Sequence, residues 1–150
     1  MIDGGLLVLQ AVKAVTGFIL GLLGAAGFLA FGFFRDVFAL QDPVMAGAVT
    51  GTALVSAAFL GALAFAPSFI AIALAEILRL RSAVYHVGLA GVIAAGLWIM
   101  GDSAMISNGH AGWLPGTTVA LAAGFVGGII YWLIAGRTSG CWRSPADRSG

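Results

Sequence analysis

A run of 21 residues from Ala14 to Phe34 carries no charge, and Thr16 is its only residue that is neither apolar nor glycine. Lys13 precedes the run and Arg35 follows it. A helix rises about 1.5 Å per residue, so a segment of this length crosses the roughly 30 Å hydrocarbon layer of a bilayer. Three similar runs follow, at about 44–66, 83–101 and 115–135. Lipid offers no hydrogen bonds to the backbone, which leaves the helix as the conformation for each run. The chain therefore reads as an all-α integral membrane protein of four transmembrane helices in a Gly-rich bundle. It forms a single membrane domain over 1–150, with an apolar lead-in at 4–13 and a short tail at 136–150.

Composition excludes the soluble alternatives. Hydrophobic residues make up 61% of the chain and charged residues 9%, against about a quarter charged in ordinary soluble domains. Asp3 stands before the first basic residue, and the first apolar run exceeds a secretory signal core, so the first segment is expected to be retained. Cys141, the lone cysteine, has no partner for an internal disulfide.

The second run opens at Asp42-Pro43, a helix-start pair, and meets Pro67 before the next charges. One straight helix from 43 to 81 would be about 58 Å long and overshoot the bilayer. A break is therefore expected near Pro67, as a kink or an extra short helix reaching Arg81. Trp98, Trp113, Tyr131 and Trp132 fall near span ends, where indole and phenol rings favour the lipid–water boundary.

Four spans place both ends of the chain on one face. That face receives Lys13, Arg79, Arg81, Arg137, Arg143 and Arg148 among its charges, whereas the other receives Arg35 as its single basic residue. By the excess of Lys and Arg on the cytoplasmic side, both termini are expected to be cytoplasmic.

The sequence holds 23 glycines, many at four-residue spacing. Gly17 and Gly21, Gly47 and Gly51, Gly88 and Gly96, and Gly116, Gly124 and Gly128 give each span a face of small residues. In lipid the hydrophobic effect no longer drives helices together, and close backbone contact over such faces does so instead. These glycines are the expected packing positions, within the chain or against another protein.

Polar chemistry is sparse. No carboxylate or basic residue falls at mid-depth, where transport of ions or protons would call for one. His86 and His110 are expected near opposite faces, too far apart to share a haem iron, and His86 is expected at headgroup level close to Glu76, Arg79 and Arg81. Glu76 and Arg79, three apart, read as a cytoplasmic surface pair. Lys13, Arg79, Arg81, His86, Trp113 and Trp132 are the expected contacts with lipid or a partner. No nucleotide loop, nucleophilic triad, metal cluster or nucleic-acid-binding patch is visible, so neither an enzyme nor a metal site is expected.

The first-span glutamate of small multidrug transporters and the Gly-rich segment of fluoride channels are both missing. The stretch Gly127-Gly128-Ile129-Ile130-Tyr131-Trp132-Leu133-Ile134-Ala135-Gly136-Arg137 resembles the C-terminal end of small uncharacterised inner-membrane proteins of alphaproteobacteria. That resemblance implies a bacterial cytoplasmic-membrane location and no particular activity.

Three functions remain open. The leading expectation is a non-catalytic accessory or structural subunit of a larger membrane complex, respiratory or photosynthetic, packed against other membrane subunits and lipids. A homo-oligomeric pore or small-solute channel is the second. The third is a membrane protein that binds a lipid, quinone or pigment between its helices; no other cofactor is expected.

Overall fold

The computed structural model describes residues 4–39, 42–103 and 116–142. These form four helices, α1 (Gly4–Ala39), α2 (Pro43–Leu78), α3 (Ala83–Ser103) and α4 (Thr117–Ile134), followed by a 3-10 turn at Gly136–Thr138. All four are long and apolar enough to cross a membrane. The chain is a multi-pass membrane protein.

Local chemistry sets the ends. Asp42 starts α2, its Oδ1 accepting the Val44 and Met45 N–H groups at 2.9 and 3.3 Å, with Pro43 in the first turn where no backbone donor is missed. The helix closes at Arg79 in the left-handed conformation (φ 55°), with the Arg79 and Leu80 N–H groups both turned back to the Ala75 carbonyl. Gly116 starts α4 at φ +91°, a backbone shape that side chains disfavour, and a Cβ there would also run into Trp98. Phe34 (φ −119°, ψ 22°) kinks α1 just before Arg35, where the uncharged run ends.

Helix lengths depart from expectation. The 18 residues of α4 rise about 27 Å, matching the hydrocarbon layer, but α1 and α2, with 36 residues each, rise about 54 Å. The lead-in at 4–13 is the first part of α1. Pro67 does not end α2, and residues 68–78 continue the same helix. Proline withholds one N–H, from the Leu63 carbonyl, whereas a break would expose several backbone groups to lipid. A helix of this length exceeds the layer and must tilt or project beyond it.

The centre of the bundle is α4. On its α3 side, a Cβ on Gly124 would come within 2.6 Å of the Ala90 carbonyl oxygen, and one on Gly128 within 2.8 Å of the Val87 Cα. Towards α1, Gly21 and Gly127 face each other, each hypothetical Cβ 2.9 Å from the other residue's carbonyl oxygen. By contrast, α2 leans on α1, with Gly61 over the Leu22 side chain and Phe65 edge-on to Phe18 (6.2 Å, 74°), and it touches α3 far less than it touches α1.

Candidate functional site

Two places gather polar groups. The first is a knot where the start of α1, the end of α2 and the segment after α4 meet. Gln10, 3% exposed, donates from Nε2 to Glu76 Oε1 at 2.6 Å and to the Ala135 carbonyl at 3.2 Å. Thr138 Oγ1 donates to Gln10 Oε1 at 2.8 Å. The other Glu76 oxygen accepts the Gly140 N–H at 2.7 Å and Trp142 Nε1 at 3.0 Å. Arg81 Nε donates to the Ser139 carbonyl at 3.1 Å, and Trp132 Nε1 to the Arg81 carbonyl at 2.9 Å. Residues 136–142, read from sequence as the start of a tail, are thus folded back onto the bundle. Glu76, read as half of a surface pair, accepts three hydrogen bonds that join three parts of the chain. Charge-assisted bonds of this kind are stronger than neutral ones.

The second place is a cavity of about 690 Å³ bounded by all four helices. Its walls are small and aliphatic through the middle: Ala26 and Leu22 from α1, Ala57 and Ala64 from α2, Ala90 and Ala94 from α3, Gly124 and Gly127 from α4. The size falls in the range of small-molecule pockets, which are mostly apolar with a few placed polar groups. The cavity exists because α4 draws α1 and α3 in over glycine while α2 stands away from α3. No Asp, Glu, Lys or Arg lines it among the described residues.

Aromatic rings close the end nearest the polar knot. The His86 ring is 6% exposed, stacks on Tyr131 (centroids 5.5 Å, 29°) and meets Tyr85 edge-on (5.2 Å, 87°). His86 Nδ1 lies 3.0 Å from the Ser82 carbonyl oxygen, which can only accept, so this contact is a hydrogen bond in the tautomer with Nδ1–H. The opposite ring edge, with Nε2, rests against Gly136, where a Cβ would come within 3.1 Å. Tyr85 donates its hydroxyl to the Ala71 carbonyl at 3.0 Å, linking α3 to α2. Tyr131 is 8% exposed, and its hydroxyl has no partner among the described residues. Towards the other end, Trp98 stacks on Phe33 (5.8 Å, 11°) and its Nε1 is likewise buried without a partner among the described residues.

The structure places the expected residues as follows. Gly17, Gly21, Gly124 and Gly128 lie in helix contacts, and Gly116 sits at the turn into α4 against Trp98 and Phe33. Gly47, Gly51, Gly88 and Gly96 have nothing within 4 Å of where a Cβ would stand. Of the residues expected at the lipid boundary, Arg79 and Arg81 are exposed, and Lys13 and Trp132 are half-buried with the Arg137 guanidinium 5.6 Å above the Trp132 ring. Trp113 and His110 lie outside the described residues. His86 is buried among the helices in the first turn of α3, against Gly136.

Sequence reasoning passed over Gln10 and the inward role of Tyr131. Gln10 had a signal: an amide in an otherwise apolar lead-in must find partners if it is buried. Tyr131 and Trp132 were read together as boundary anchors, yet adjacent helical residues point about 100° apart. The two therefore face different surroundings, and here Tyr131 is the buried one.

No family model, no curated protein and no solved structure matches this chain.

Proposed function

We propose that this membrane protein binds an apolar or amphipathic small molecule from the bilayer in the cavity between its four helices. The carrying observation is the cavity itself: about 690 Å³ with apolar walls, beside a buried tyrosine hydroxyl that has no partner among the described residues. Interiors normally pack to crystal-like density, whereas this cavity is partly open at the surface and offers its apolar walls to a molecule from the bilayer. The uncharged lining suits a lipid, quinone or pigment better than a hydrated ion.

Mass spectrometry of the protein released from mild detergent tests this. A small molecule is expected to remain bound to the wild type and to be lost from Ala64→Phe, which places a ring in the cavity from α2 while the protein stays folded. A wild type that carries nothing, and takes up no added hydrophobic probe, would remove the proposal.

A second reading, subunit of a larger membrane complex, draws on Gly47 and Gly51, whose small face on α2 has no described residue within 4 Å of where a Cβ would stand. Close approach of another helix is what such faces permit. Co-purification of a stoichiometric membrane partner, lost on replacing both glycines by leucine, would support it. The expected bacterial cytoplasmic membrane, with both termini inside, belongs to this proposal. It is supported by Lys13, Arg79, Arg81 and Arg137 sharing one end of the bundle.

A further inference from the structure

We infer that the cavity's occupant is the acyl chain of a bilayer phospholipid, which enters sideways between α2 and α3 while its phosphate head stays outside at the level of Arg81. This rests on the binding function proposed above and names the ligand and its way in.

The walls decide what can lie inside. Among the polar side chains of the described lining, His86 Nε2, Trp98 Nε1 and the Tyr131 hydroxyl are packed against protein and offer no surface to a ligand. Tyr85 donates its hydroxyl to the Ala71 carbonyl, and His86 Nδ1 lies against that of Ser82. Ser68 remains, and a serine within a helix readily turns its hydroxyl to the carbonyl one turn back, as Thr50 and Thr52 do on the same helix. A polar head in this space would leave its own hydrogen bonds unmade, and a charged one would meet no counter-charge on the described walls. A hydrocarbon chain has no such bonds to lose.

The way in faces lipid. The four helices follow one another round the cavity, and of the four edges between neighbours the α2–α3 edge is packed least. Leu60 and Ile72 from α2 and Leu89 and Ile93 from α3 line the cavity within the apolar segments that cross the membrane. Because the cavity is partly open at the surface, a chain already in the bilayer passes this seam without meeting water.

Length and charge fit one phospholipid. From Tyr85 to Trp98, both on the cavity wall, α3 rises about 20 Å. That exceeds the roughly 15 Å a chain covers in its half of the hydrocarbon layer. Tyr85 lies one turn from the exposed Arg81, and the exposed Arg79 belongs to the same connection. Basic side chains at that level attract a phosphate-bearing head.

Tryptophan quenching on the full-length protein tests the inference. In vesicles of phosphatidylglycerol brominated midway along one acyl chain, the emission of Trp98, taken as the difference between wild type and Trp98→Phe, is expected to be mostly lost. Ala64→Phe, by filling the cavity, is expected to restore it. Quenching that Ala64→Phe leaves unchanged would put the chain outside the bundle and overturn the inference. A second arm adds dibromododecane to unbrominated vesicles. If this free hydrocarbon quenches Trp98 and the brominated lipid does not, the phospholipid chain is refuted and the cavity's function stands; if neither quenches, both fall. Should Ala64→Phe not fold, native mass spectrometry of the wild type taken from the brominated vesicles decides: one phospholipid retained per chain supports the inference, and a chain without phospholipid refutes it.

Discussion

The two sides of this bundle are built to different tolerances. Between α4 and its neighbours α1 and α3, backbone meets backbone at Gly21 and Gly127, at Gly124 and at Gly128, where an added Cβ presses on atoms that cannot step aside. Between α2 and the rest, side chains meet side chains, one hydrogen bond from Tyr85 spans the gap to α3, and a cavity remains. Glycine seals the first side, and the same Gly21, Gly124 and Gly127, together with alanine from α2 and α3, also wall the cavity.

Adding one methyl group at matched positions measures that contrast. Gly124→Ala presses a Cβ to 2.6 Å from the Ala90 carbonyl oxygen, an atom that cannot step aside, and should lower stability by about 3 kcal/mol, at the upper end of overpacking costs. Thermal unfolding in detergent reads it directly. A loss below about 1 kcal/mol would mean that the α3–α4 seam is as forgiving as the other side.

Glu76→Ala should rank next, at about 2 kcal/mol, because three donors lose a carboxylate acceptor at once. Limited proteolysis should then cut residues 136–142 faster than in the wild type. Gly61→Ala is the counterpart of Gly124→Ala on α2. Its Cβ would meet the Leu22 Cδ1 at 2.8 Å, the far end of a flexible side chain, and the expected cost is about 0.5 kcal/mol. A drop equal to that of Gly124→Ala would erase the distinction between the two sides. Gly96→Ala, with open space around it, should be neutral or gain up to about 1 kcal/mol from helix propensity.

The membrane fold was legible because four long uncharged runs allow little else, and the run ending at Phe34 even marks the kink in α1. Helix length was not legible at Pro67. A proline reads locally as a stop, but in lipid the alternative to a tolerated proline is a set of stranded backbone groups. The spacing of glycines named faces without saying which face meets which helix: Gly124 and Gly128 are sealed, while Gly88 and Gly96, at similar spacing, look outward. The cavity left no trace in the sequence, since alanine and glycine that line a space are the same residues that close one. Tyr131, one of the polar residues on its wall, sat beside Trp132 and shared its apparent role.

The knot at Gln10 and Glu76 has a consequence for biosynthesis. Its closing pieces, Thr138, Gly140 and Trp142, leave the ribosome after all four helices have been made, yet they fasten to residues near the beginning and the middle of the polypeptide. Until then α2 is held mainly through α1. The last segment to emerge is the one that ties the start of α1 to the end of α2.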